Sequence, residues 1–111
     1  MSKVKRKLTT ILATDCVGFS KRMDENEELT LENLKACRSI IDPQIKEFGG
    51  RIFYTAGDSV IAEFESPVEC VNAAIGFQKA INDRNNTLSE ESQLDWRVGT
   101  VSYTHLRDHE P

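Results

Sequence analysis

The sequence predicts one α+β domain with the element order β-α-β-β-α-β, and three observations carry that expectation. An apolar, β-rich run stops at Asp15, two helical patterns each open on a capping signal, and two short strand-like runs are separated by Ala56, Gly57 and Asp58 alone. At 111 residues there is room for one domain with an ordinary core and not for a second. The order is that of the ferredoxin-like βαββαβ sandwich.

Leu8 to Thr14 (LTTILAT) shows little alternation, as expected of a central strand covered on both faces. The following CVGFSKRMD reads as a loop. Asn26 is suited to cap a helix whose first turn carries Glu27 and Glu28, negative charge at the positive end of the dipole. The expected core stripe of that helix is Leu31, Leu34, Cys37, Ile41, Ile45 and Phe48, and Gly49 with Gly50 supplies the stop. Pro43 lacks a backbone donor, so a bend or break is expected near Ser39 to Asp42. Arg51 to Thr55 and Ser59 to Phe64 read as a hairpin. Ser66, Pro67 and Glu69 then start a second helix, with Val68, Val71, Ala74, Ile75, Phe77 and Ile81 expected on its buried face.

Asn82 to Ser92 reads as a polar loop. After it, Leu94, Trp96 and Val98 alternate with Asp95 and Arg97, the pattern of a strand with one buried face. Val101 to Pro111 (VSYTHLRDHEP) carries no period that joins it to what precedes. The expected division is therefore a domain over 1–99 and a foreign-looking tail over 100–111, of a frameshifted or adapter-derived kind. An open strand edge, with aggregation or disorder, is expected after Gly99.

Composition excludes several function classes. A formal charge of -4 argues against the nucleic-acid backbone as a partner, since such binders carry a basic face. No apolar run approaches the roughly 18 residues of a membrane span. Cys16, Cys37 and Cys70 are odd in number and form no CxxC pair, so neither a disulfide framework nor a zinc site is indicated. Reduced thiols point to the cytoplasm.

The candidate chemistry lies in two aspartates. The first two strands of a βαβ unit run parallel, so the end of the first and the hairpin after the second share one edge of the sheet. The first and third strands are expected as neighbours about 4.8 Å apart, which brings Asp15 toward Asp58. Two such carboxylates could bridge divalent ions roughly 3.5 to 4 Å apart, the arrangement used in phosphoryl transfer. Hard oxygen ligands favour magnesium or manganese. Gly18, Phe19 and Ser20 could turn backbone N–H groups toward a triphosphate. Against this stands a plain alternative, that Asp15 merely ends a strand and Asp58 is held by its own turn. His105 and His109 have the i, i+4 spacing of a helical metal pair, with no third ligand to support them.

DCVGFS after an apolar strand, followed by GGRIFYTAGDSVIAEF, resembles the two N-terminal signature segments of the class III adenylate and guanylate cyclase domain. The similarity runs from about Arg6 to Gly99 and includes IDPQIKEFGG and SPVECVNAAIGFQ. This resemblance to a bacterial-type cyclase implies a truncated nucleotide cyclase fold. It implies that Asp15 and Asp58 bind two metal ions, that Cys16 offers its backbone carbonyl to the second, and that Gly18, Phe19 and Ser20 contact the triphosphate. The implied reaction is conversion of ATP or GTP to a 3′,5′-cyclic nucleotide and pyrophosphate in cyclic-nucleotide signalling.

Two departures qualify the match. Tyr54 stands where adenylate cyclases of the family carry a purine-reading lysine. A phenol can hydrogen-bond a base edge but brings no charge, and a tyrosine packed on the core fits the pattern equally well. After Arg97, Val98 and Gly99 comes TVSYTHLRDHEP in place of the family segment with an asparagine and an arginine that support the transition state. Family sites form between two domains, so a homodimer is implied, and the 111 residues alone are expected to be inactive or nearly so. The competing readings are a non-catalytic cyclase-like module that dimerises or senses a ligand, and an unrelated ferredoxin-like interaction domain.

Overall fold

β1 (Val4–Cys16) forms the spine of a four-stranded sheet, with β3 (Ser59–Phe64) on one side and β4 (Trp96–Asp108) on the other. The structure, a computed structural model, describes residues 4–108. β2 (Arg51–Ala56) completes the order β2-β3-β1-β4, and every neighbouring pair is antiparallel. This is the ferredoxin-like topology that the element order predicts. α1 (Phe19–Glu25), α2 (Glu27–Glu47) and α3 (Pro67–Asn85) supply the helices.

Local signals act where the sequence puts them. The Asn26 side chain accepts from the Leu29 N–H at 3.1 Å, and Ser66 Oγ accepts from the Glu69 N–H at 3.2 Å. These bonds satisfy donors that the first turn of a helix leaves open. α2 ends on a Schellman arrangement, with the Gly49 N–H bonded to the Lys46 carbonyl and the Gly50 N–H to the Ile45 carbonyl. Gly49 takes φ +81, which a side chain would disfavour. Gly50 serves a different need, since a Cβ there would meet the Phe64 ring at 2.5 Å.

The core lies between α2, α3 and one face of the sheet. Leu12, Val60, Ala62 and Phe64 point into it from β1 and β3, against Cys37, Ile41 and Ile45 of α2 and Cys70, Ala73, Phe77 and Ile81 of α3. Among the described residues the opposite face carries no helix: Ile11 is half-buried there and Ala13 is exposed. The expectation of a strand covered on both faces is thus corrected to one covered face.

Several further expectations are corrected. CVGFSKRMD is not simply a loop, because it contains α1. α2 passes through Pro43 without a break, held by Ile41 and Ile45 packed on either side of the proline and by an Arg38–Asp42 ion pair with contacts of 2.8 and 2.9 Å. The buried stripe of α2 contains Thr30 and Asn33, while Leu31 is exposed. In α3, Val68, Val71 and Ile75 face outward, and Cys70, Ala73 and Asn85 take buried places. Polar residues can occupy those places because each finds partners. Thr30 donates to the Arg22 carbonyl, Asn33 joins the Leu29 carbonyl to the Arg84 guanidinium, and Asn85 bonds both the N–H and the carbonyl of Leu94. The α2 stripe otherwise stands, with Cys37, Ile41 and Ile45 buried and Leu34 and Phe48 packed on the core, whereas counting apolar side chains alone rotates the α3 stripe toward solvent.

The first residues of the expected polar loop are helical through Asn85, and Glu90–Ser92 forms one 3-10 turn. β4 does not stop at Gly99. It pairs with β1 from Trp96 to Asp108, tied by Thr10 to Ser102 at 2.7 Å and Thr9 to His105 at 3.2 Å. The disorder expected after Gly99 gives way to an edge strand whose alternating Thr, Ser, Val and Tyr residues suit a ladder. His105 lies in that strand, where i, i+4 residues do not form the helical pair, and His109 lies outside the described residues. No helix of the described residues is long and apolar enough to cross a membrane.

Candidate metal and nucleotide site

Asp15 is the penultimate residue of β1, and Asp58 sits in the two-residue connection between β2 and β3. Gly57 adopts φ +57 in that connection, a left-handed conformation that glycine accommodates readily. The tight reversal points Asp58 across the sheet instead of along its own hairpin. Its Oδ2 accepts from the Cys16 N–H at 2.8 Å, a contact across 42 sequence positions. This is the hydrogen bond its carboxylate makes among the described residues, so the turn-held alternative for Asp58 does not apply.

Register explains the setting of Asp15. Leu94 and Trp96 are buried and Val98 packs on the core, which turns Arg97 to the other face, directly opposite Asp15 in the β1–β4 ladder. A one-residue slip would invert that arrangement. Arg97 Nε and Nη2 both reach Asp15 Oδ1, at 2.9 and 2.8 Å. Each aspartate thus has one oxygen engaged, and Asp15 Oδ2 and Asp58 Oδ1 have no hydrogen-bond partner among the described residues.

The two aspartates line one open cleft of about 510 Å³ together with Cys16, Gly18, Phe19, Ser20, Lys21, Ser59 and Arg97. Gly18 takes φ +67 at the entry to α1, the backbone reversal that brings this loop back beside the end of β1. α1 is steadied by Arg22, whose guanidinium donates to the Glu90 carbonyl and whose own carbonyl accepts from the Thr30 hydroxyl. The Cys16 thiol faces the core instead of the cleft. Burial first, then the nearby Asp58 carboxylate, push its pKa up to about 12, so it stays a protonated, inert group at neutral pH.

Tyr54 is not packed on the core. It stands opposite Ile61 on the uncovered side of the sheet, 53% exposed, and is not part of the cleft wall. Arg97 and Lys21 are cleft cations that the sequence reading did not single out as site residues. The signal for Arg97 was present in the alternation of Leu94, Trp96 and Val98, but its partner depends on pairing with a strand 82 residues away. Lys21 carries no comparable signal.

The site's chemistry can be tested against a divalent metal. Among the described residues no group of three or more His, Cys, Asp or Glu converges. A metal here would take two carboxylates from the protein and the rest of its shell from phosphate and water, which is how Mg2+ is commonly held. The residues present fit that group.

No family model matches the chain. It is 36% identical over 97 residues to a Rhizobium meliloti (strain 1021) protein provisionally named adenylate cyclase 3, an alignment covering 86% of this chain. Among solved structures, an adenylate/guanylate cyclase/hydrolase from Silicibacter pomeroyi superposes with a TM-score of 0.80 at 28% identity, over 98% of this chain and 66% of that one. Over nearly its whole length the chain matches adenylate/guanylate cyclase domains in sequence and in fold. The adenylyl cyclase CyaB from P. aeruginosa shares the cyclase fold, with a TM-score of 0.75 at 22% identity over 94% of this chain and 60% of that one. A serine/threonine-protein kinase, pkn2 of Myxococcus xanthus, is 30% identical over 98 residues, 87% of this chain. The chain spans only 16% of the Rhizobium protein's length and 12% of the kinase's.

Proposed function

We propose that this cyclase-family domain serves conversion of ATP or GTP to a 3′,5′-cyclic nucleotide and pyrophosphate, with Asp15 and Asp58 holding two Mg2+ or Mn2+ ions. The observation that carries the reading is the reach of Asp58 to the Cys16 N–H, which brings both carboxylates to one cleft with an oxygen of each left open. The ions, when bound, would activate the ribose 3′-hydroxyl and offset charge on the triphosphate. The chain's own part is to hold and orient. Gly18, Phe19 and Ser20 begin α1, where backbone N–H groups lack helix partners and can face phosphate oxygens, and Lys21 adds a cation on the same wall. The Cys16 carbonyl is assigned to the second ion by motif position.

Tyr54, exposed on the uncovered sheet face, is free to meet a purine held at a site shared with a second copy, which accords with a homodimer. Its neutral phenol is also the observation that favours the second reading, a non-catalytic cyclase-like module that dimerises or senses a ligand. Without the asparagine and arginine that the family uses at the transition state, the 111 residues alone should be nearly inactive, since each such donor typically contributes about 100- to 1,000-fold. The test is Mn2+-dependent binding of a non-hydrolysable ATP or GTP analogue to the purified chain. Binding should be lost in Asp58→Ala and Asp15→Ala while the fold persists by circular dichroism. Equal analogue affinity with and without Mn2+, or in wild type and both variants, would remove the metal site from the reading.

A further inference from the structure

We infer that Arg97 is a positioning residue for the metal site, clamping Asp15 so that one carboxylate oxygen is presented to the cleft in a fixed direction. The inference rests on the metal-site reading above. Both guanidinium contacts fall on Asp15 Oδ1, so the clamp occupies one oxygen and leaves Oδ2 open. Asp58 is treated alike, with Oδ2 bonded to the Cys16 N–H and Oδ1 open. Two carboxylates, one at the end of β1 and one in the β2–β3 connection, are thus each pinned through one oxygen, and partners of this kind fix the orientation of metal ligands.

An opposite role is conceivable, a cation that occupies the site and repels a metal. The geometry argues against it. Arg97 is 70% exposed, so water and salt screen its charge, whereas the direction it imposes on Asp15 is not screened. Its backbone is also held in the β1–β4 ladder, with the Arg97 carbonyl accepting from Thr14 Oγ1 at 2.7 Å, so the guanidinium springs from a fixed point. An exposed ion pair contributes little to folding, which separates the positioning role from a structural one.

The experiment measures Mn2+ affinity by electron paramagnetic resonance for the full 111-residue chain as wild type, Arg97→Ala, Arg97→Lys and Asp58→Ala, with metal-free thermal midpoints beside it. Arg97→Ala should bind Mn2+ about 10-fold more weakly at an unchanged midpoint, and Arg97→Lys should recover part of the loss. Unchanged or tighter binding in Arg97→Ala, with Asp58→Ala still defective, would overturn the positioning role and leave the metal site standing. Absence of Mn2+ binding in the wild type, or its persistence in Asp58→Ala, would overturn both. Should Arg97→Ala fail to fold, Arg97→Gln, which keeps a neutral donor on the stem, carries the same comparison.

Discussion

The covered side of the sheet and the rim at the end of β1 are built from the same strands but by different rules. On the covered side, Leu12, Val60, Ala62 and Phe64 are buried against two helices, and position is set by many small contacts at close packing. At the rim, Asp15 and Asp58 are half-exposed, and position is set for each by a single partner, Arg97 or the Cys16 N–H. Redundant packing tolerates the loss of any one contact at a cost in stability. A singly pinned carboxylate loses its direction at once and costs the fold little. Stability and site chemistry should therefore respond to different substitutions.

The largest stability effect is expected at Gly50, where backbone and core meet. A Cβ at this position would lie 2.5 Å from Phe64 Cζ and 2.7 Å from Ile45 Cγ2, and both of those side chains are buried in the core. Gly50→Ala should destabilise by about 1–3 kcal/mol, the usual cost of overpacking, measured by urea unfolding. Asp58→Ala in the same assay should change little. A reversed order would break the division between covered side and rim.

Cys16 sharpens the comparison because it belongs to both regions, its thiol in the core and its N–H on Asp58. Burial raises the folded thiol pKa from 9.0 to about 12, so the fold favours the protonated form. That contribution is fully present below pH 9 and is lost as pH rises toward 12. Urea midpoints should fall across this window, less steeply in Cys16→Ala. Some slope should remain, since burial also raises Cys37 and Cys70.

The smallest effect is expected on the outer surface of α3. Ile75 is 61% exposed, and Ile75→Ser should change stability by no more than about 0.5 kcal/mol. A cost above about 2 kcal/mol, the size expected for a core position, would restore the stripe that counting apolar residues suggests.

Much of the fold was legible because its signals are short-range. Asn26, Ser66 with Pro67, and Gly49 with Gly50 act within a few residues of themselves, and each cap stands where the sequence puts it. The stripes of α2 and α3 were less legible. Asn33 and Asn85 read as surface residues until Arg84 and Leu94 are seen to satisfy them. The segment after Gly99 was illegible for a similar reason, as its pairing with β1 spans the length of the chain.

For the candidate site, the sequence alone determined that one aspartate ends a strand-like run, that the other sits in the tight connection between two such runs, and that a glycine-bearing turn follows the first. Motif resemblance tied these to the cyclase family. Only the tertiary structure decided that Asp58 turns away from its hairpin to the Cys16 N–H, and that Arg97 stands opposite Asp15. The reason is one of range. Caps and periodicity are settled by neighbours along the chain, whereas a cross-strand partner is chosen by register, and register follows from which face of each strand the assembled core buries.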